Sequence, residues 1–225
     1  MLTFIVIFSF CTQGSAQEQF SIQRALDFYH YAVDYAHLST GDYLLVIPAG
    51  TSVSTSGEVR HWPDPTGTYH SPLFTGEDAV VEWRVYVEEA GLYNLAVSYY
   101  PVPGRRSAIQ REVRINGELP YEEAAFIELH RVWGDGGPAQ VDNQGNHLRP
   151  SQVEILKWRK VLLTDSMGTY ANPLSFYLHE GWNSITLASR REPVVIGQIE
   201  VISLTEHLPY ASVQAHYAEA GYMPT

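Results

Sequence analysis

The sequence predicts an all-β fold, an antiparallel sandwich or jelly roll. The first observation is a pair of blocks with matching punctuation. Gly91-Leu-Tyr-Asn-Leu-Ala-Val-Ser-Tyr-Tyr-Pro101 leads to Arg114-Ile-Asn-Gly117, and Phe176-Tyr-Leu-His-Glu-Gly-Trp-Asn-Ser-Ile-Thr-Leu187 leads to Ile199-Glu-Val-Ile202. Each block alternates apolar and polar residues around a turn. The second observation is that about nine short strands with turn signals follow one another between residues 41 and 205. The third is that no helical pattern alternates with them; helical patterns lie only at the two ends.

Residues 1–16 read as an export signal. Residues 2–10 form an apolar run too short to span a bilayer, and Gly14-Ser15-Ala16 offers small residues before a cut at Gln17. The segment lacks the Lys or Arg usual ahead of such a run; the competing reading is a buried N-terminal strand. Cys11, the single cysteine, lies inside it, so the mature chain would use neither disulfides nor thiol chemistry. Lipidation of Cys11 is the one route to a membrane anchor, and Phe10 ahead of it matches poorly. Residues 17–40 read as an N-terminal helix, with Ile22, Ala25, Leu26, Tyr29, Val33 and Ala36 on its apolar face.

The predicted sandwich occupies residues 41–205. Residues 43–47 form a short strand, and residues 48–76, rich in Pro, Gly, Ser and Thr, read as loop with room for one short strand. Val81, Trp83, Val85 and Val87 alternate with Glu82, Arg84 and Tyr86, the mark of a half-buried strand. Tyr93, Leu95, Val97 and Tyr99 make the next inward face, and Ile109, Val113 and Ile115 lead to Asn116-Gly117, a dipeptide that favours a tight turn. Residues 126–133 read as a strand, residues 134–150 as a long polar loop, and residues 153–163 as a strand region. Leu174, Phe176 and Leu178, then Ile185 and Leu187 across Glu180-Gly181, then residues 195–204, complete the sheets. Residues 206–225 read as a helical tail, broken by Pro209.

Composition excludes several functions. Charged residues make up 17% and apolar ones 45%, a globular balance. The net charge of −11 argues against nucleic acid, which needs a Lys/Arg-rich face. No His-Glu-x-x-His and no Gly-x-Ser-x-Gly occurs, and Gly134–Gly137 lacks the Lys-Ser/Thr of a phosphate loop. His61 and His70 flank Asp64 at a spacing that specifies no metal. No carboxylate pair declares itself as an acid and base, so no catalytic residue is assigned. No cofactor is implied; calcium is the one ion left open, at Asp142-Asn-Gln-Gly-Asn146, which lacks EF-hand spacing.

The loops combine aromatic and polar side chains. A sugar presents a C–H face and a rim of hydroxyls, so its site pairs an aromatic platform with amide, carboxylate and guanidinium groups. The candidates are Trp133, Asp135, Asp142, Asn143, Asn146, Arg149, Trp158, Tyr170 and Arg191. The competing reading is that the Trp residues are core and the charged ones tie down a loop.

Gly91-x-Tyr93-x-x-x-Val97-x-Tyr99, Arg114-Ile-Asn-Gly117 and Gly181-x-Asn183-x-Ile185-x-Leu187 resemble carbohydrate-binding modules of the galactose-binding-like jelly-roll class. A longer string resembles something narrower. Arg131-Val-Trp133, Asp142-Asn-x-Gly-Asn146, Leu148-Arg-Pro150, Gln152-Val-Glu154, Trp158, Asp165, Tyr170, Phe176-Tyr-Leu178 and Arg191-Glu-Pro193 resemble the N-terminal β-domain of extracellular solute-binding proteins of Gram-positive sugar-type ABC transporters. The resemblance covers roughly residues 20–222 and implies a secreted, non-catalytic module. Its partner would be a carbohydrate or a companion solute-binding domain, and the α/β domain that follows in that family is not in this sequence. Many modules of the class hold calcium with an acidic residue in the last strand, where this chain has Gln198. The alternatives are a protein-interaction sandwich without a sugar site, and a fragment associated with a glycosidase or lyase.

Overall fold

The computed structural model describes residues 26–38, 42–64 and 66–204, with Gln214 and Glu219 in helical conformation. The proposed signal, Cys11, the first part of the N-terminal helix and nearly all of the C-terminal tail lie outside the described residues. After helix α1 (Phe28–Tyr35) come β1 (Leu44–Pro48), β2 (Ser54–Ser56), β3 (Val59–His61), β4 (Leu73–Thr75), β5 (Val80–Val87), β6 (Gly91–Pro101), β7 (Ile109–Ile115) and β8 (Ile127–Leu129). Then follow β9 (Trp133–Asp135), β10 (Gln140–Val141), β11 (His147–Leu148), β12 (Gln152–Glu154), β13 (Arg159–Leu162), β14 (Ser175–Leu178), β15 (Gly181–Arg191) and β16 (Val194–Ser203).

Two antiparallel sheets face each other as a sandwich. One runs β13-β6-β16-β4-β3, with β14 also paired to β6 and β1 also paired to β16; the other runs β2-β5-β15-β7-β8. The alternation of β5 works as expected: Val81, Trp83, Val85 and Val87 are buried, and Arg84 and Tyr86 are exposed. They meet Ile185 and Leu187 of β15, Val113 of β7, and Tyr93, Leu95, Val97 and Tyr99 of β6 in one core. The buried polar tips find partners, as they must in a dry interior. Trp83 Nε1 donates to the Ala49 carbonyl at 2.9 Å, and the Tyr99 hydroxyl donates to the His130 carbonyl at 2.7 Å. Asn116 and Gly117 both take positive φ, 53° and 82°, which is why that dipeptide closes the β7 hairpin.

Three expectations need correction. The helix does not run through residues 26 and 27. Asp27 is its N-cap in extended conformation, and its carboxylate accepts the His30 N–H at 2.9 Å. The buried face is Phe28, Tyr31, Ala32 and Tyr35, not Leu26, Tyr29 and Val33, which are more than half exposed. Aromatic partners decide it: Phe28 and Tyr31 meet the Tyr121 ring edge to face, and Tyr35 stacks on Tyr177 at 4.1 Å. The loop over residues 48–76 contains three strands rather than one: β2 pairs with β5, β4 with β16, and β3 with β4. The polar loop over residues 134–150 is likewise structured. β9 pairs with β12 and β10 with β11, forming a projecting β-arm.

Candidate functional site

The arm is held at its root by a buried ion network. The Arg131 guanidinium donates to the carbonyls of Ser107 and Val102, both at 3.0 Å, to Glu154, and to Glu192 at 3.0 Å. The Arg131 and Glu192 side chains are buried and the Glu154 side chain is nearly so. Glu192 also accepts the Ser107 hydroxyl at 2.7 Å and the Arg105 backbone N–H at 3.0 Å. Burial works to raise the Glu192 carboxyl, but the Ser107 bonds, the Arg131 charge and the Arg105 N–H outweigh it and hold it below the usual range. Glu192 takes a positive φ of 61°, and beside it Arg111 is buried with no carboxylate partner among the described residues. Arg111 donates to the carbonyls of Gln110, Arg191 and Glu192 and to Thr75 Oγ1, and burial pushes its pKa down to about 9. The turn after β15 is thus bound to β7, β4 and the arm together.

On this root sits a small hollow of about 190 Å³, lined by Arg106, Ser107, Ala108, Glu128, His130, Arg131 and Trp133. Trp133 is 41% exposed. Arg106 is exposed, has a φ of 62°, and makes no ion pair among the described residues. Donors (Arg106), an acceptor (Glu128), a group that does both (His130) and an aromatic platform therefore share one shoulder.

The nine residues chosen from sequence do not form one constellation. Trp133 lies in the hollow. Asp135 accepts a hydrogen bond from Gln152 Nε2 across the arm at 2.5 Å. Asp142 closes the tip: its carboxylate accepts the N–H groups of Gln144 and Asn146, both at 2.8 Å, and Asn146 Nδ2 at 3.0 Å. Those bonds, with the Asn146 side chain foremost, hold the Asp142 carboxyl below its ordinary value. Asn143 is exposed in the same turn. Arg149 lines a separate cleft of about 340 Å³ in the arm, with Gly136, Pro138, Gln140 and Leu148, and no aromatic residue among the described ones lines it. Trp158 is packed among Tyr69 and Tyr100 at 4.4 and 5.5 Å, with Nε1 donating to Asp64 at 3.1 Å. Gly197 makes room for it, since a Cβ there would approach the Tyr69 and Trp158 rings to 2.8–3.0 Å. Tyr170 packs edge to face on Phe28, and Arg191 ends β15, where its carbonyl holds Arg111. Sequence reasoning missed Arg106, Glu128 and His130; the cue at hand was His130, three residues before Trp133.

The open calcium question meets unfavourable chemistry in the last strand. Gln198 Nε2 donates to Glu200 at 2.7 Å, and Glu200 also pairs with Lys160 at 3.2 Å. Calcium needs six to eight oxygens in a cage. A carboxylate already committed to an ammonium and an amide does not fit that need.

No known family profile matches the chain, and no curated protein matches it. Solved structures do. A family 35 carbohydrate-binding module from Clostridium thermocellum aligns with 72% of this chain and 99% of its own, at 13% identity and a TM-score of 0.42. A β-(1,4)-mannanase of Podospora anserina carrying a family 35 module aligns with 75% of this chain and 29% of its own, at 13% identity and a TM-score of 0.46. The C-terminal family 6 module of a laminarinase from Zobellia galactanivorans aligns with 72% and 100%, at 14% and 0.43. At these identities and scores the likeness gives no residue of this chain a role.

Proposed function

We propose that this chain is a non-catalytic carbohydrate-binding module that seats a sugar on Trp133, with Arg106, Glu128 and His130 as polar partners. The observation that carries the reading is the half-exposed indole on a rigid, ion-paired root. An aromatic left open to water forgoes burial that stabilises a side chain by about 1.5–3 kcal/mol. Holding it rigid lowers the entropy lost on binding. A sugar ring would cover the indole with C–H groups and offer hydroxyls to the guanidinium, carboxylate and imidazole. Calorimetry against a glycan panel tests this. Binding at millimolar concentration or better is expected, weakened about tenfold or more, roughly 1.4 kcal/mol, by Trp133→Ala. A folded sample with no affinity for any glycan at about 10 mM would sink the reading.

The finer assignment is to a secreted accessory domain of a sugar-uptake receptor. It is supported by the motif string, because Arg131, Glu154 and Glu192 come from three separate pieces of it and meet at the arm root. A companion-docking role also has one observation in its favour. Val141, Leu148, Val153, Ile155 and Leu156 of the arm are all exposed, between 39% and 56%. Leu148→Asp should then weaken cross-linking to a sugar-type solute-binding domain without changing glycan affinity. Unchanged cross-linking would discard that role.

A further inference from the structure

A second aromatic platform lies on the outer face of the five-stranded sheet. Tyr86 of β5 and Trp182 of β15 are register partners. Their rings meet at 5.5 Å and 75°, and they are 49% and 63% exposed. The Tyr43 hydroxyl donates to the Tyr86 carbonyl at 3.1 Å, fixing the strand end beneath them. The same face continues in polar rows. Arg84 lies opposite Ser184, and Glu82 opposite Thr186, which is opposite Arg114. Rows two residues apart on one face are spaced about 7 Å. Arg84 is exposed and makes no ion pair among the described residues.

Chemistry selects the occupant. Glu88, Glu89 and Glu180 are exposed in the two turns at this end of the sandwich. Three carboxylates and a net charge of −11 repel an anionic membrane or an acidic sugar. A protein hot spot needs a water-excluding rim around its aromatic anchor, and this pair is flanked by charged and hydroxyl side chains. A neutral sugar meets both conditions, since its C–H face covers an indole and its hydroxyls pair with Arg84, Ser184 and the carboxylates. We infer that Trp182 and Tyr86 form a second stacking platform, which binds a neutral polysaccharide running from Trp182 along the row of Arg84.

This inference rests on the reading that the chain binds glycans, but it uses a different surface. The Trp133 hollow adjoins the start of β7, and the aromatic pair lies past its end, where the Ser184 N–H donates to Asn116 Oδ1 at 2.8 Å. The length of β7 puts roughly 20–25 Å between the two platforms. Two platforms on one module bind a polymer with avidity that neither has alone.

The experiment is affinity electrophoresis of the wild-type chain and of Trp182→Ala, Tyr86→Ser and Trp133→Ala against neutral mannan, xylan and mixed-linkage glucan, with polygalacturonate as the acidic control. Unfolding midpoints of the exposed-site variants confirm that they are folded. We expect Trp182→Ala to lose about fivefold or more in affinity for a neutral polymer, and Tyr86→Ser to lose less. Dependence on Trp182 with Trp133→Ala unaffected would uphold this platform and remove the Trp133 site. Dependence on Trp133 alone would overturn the platform and leave the first site standing. Binding to none of the polymers would overturn the platform, and so would dependence on Trp182 seen only with polygalacturonate. A wild-type dimer that Trp182→Ala dissolves would overturn it as well, by making this face a self-association surface.

Discussion

Replacing Arg131 with methionine would remove the charge at the arm root while keeping much of the stem's apolar volume. Arg131 makes hydrogen bonds to two carbonyls and two carboxylates, and its side chain is 3% exposed. Removing one partner of a buried pair costs roughly 3–5 kcal/mol, because the other charge stays in the interior. The orphaned carbonyls add to that cost, while Glu192 keeps the Ser107 hydroxyl and the Arg105 N–H as donors. A net loss of about 4 kcal/mol is expected, which for a domain of this size is a drop in Tm of roughly 8–16 °C. Urea unfolding followed by far-UV circular dichroism measures it. Glu192→Gln keeps an acceptor oxygen and removes the charge, so its cost should shrink in the Arg131→Met background. The double-mutant cycle should return a coupling of about 1–3 kcal/mol. A single-variant loss under about 1 kcal/mol, or two losses that simply add, would refute the view that this network holds the root together.

Gly197→Ala should destabilise by about 1–3 kcal/mol, because its Cβ drives into the Tyr69 and Trp158 rings, with a change in Trp158 fluorescence. Phe28→Ala should cost about 3 kcal/mol and detach α1, read as faster hydrogen exchange over residues 28–35 with the sheets unaffected. Glu192 and Asp165 have lowered folded-state values; in Asp165, burial is outweighed by the N–H groups of Met167, Thr169 and Tyr170. Their stabilisation is therefore fully present above an ordinary carboxylate value of about 4 and is lost as pH falls through the folded value. Acid titration should lose the near-UV signal of the ordered tryptophans below about pH 4, and a flat profile down to about pH 2 would contradict this.

Much of the fold could be read locally. Val81 to Val87 betray their strand because period-two burial leaves its mark on adjacent residues. Asn116-Gly117 does so because positive φ restricts residue choice. The helix face was not legible, since Tyr29 and Val33 make as apolar a stripe as Phe28, Tyr31 and Tyr35. The choice between them belongs to Tyr121, Tyr170 and Tyr177, which lie far along the chain. The site was legible at Trp133 and little further. Arg131 meets partners 23 and 61 residues away, and neither separation follows from any local period. Trp158 and Tyr170 show the same limit, because composition marks an aromatic ring but not whether something covers it.

The hydroxyl of Tyr31 closes part of an open margin of the larger sheet. Among the described residues β14 pairs only with β6, and side-chain hydroxyls meet its other side, where Tyr121 donates to the Ser175 carbonyl at 3.1 Å. Tyr31 accepts the Tyr177 N–H there at 2.7 Å, and Tyr35 stacks over the same residue. Helix α1 is therefore a stopper on an open sheet margin. Without these contacts, β14 would be a template for strand addition, and chains could join margin to margin. Eight residues of helix thus join Tyr121 in closing this margin to a further strand.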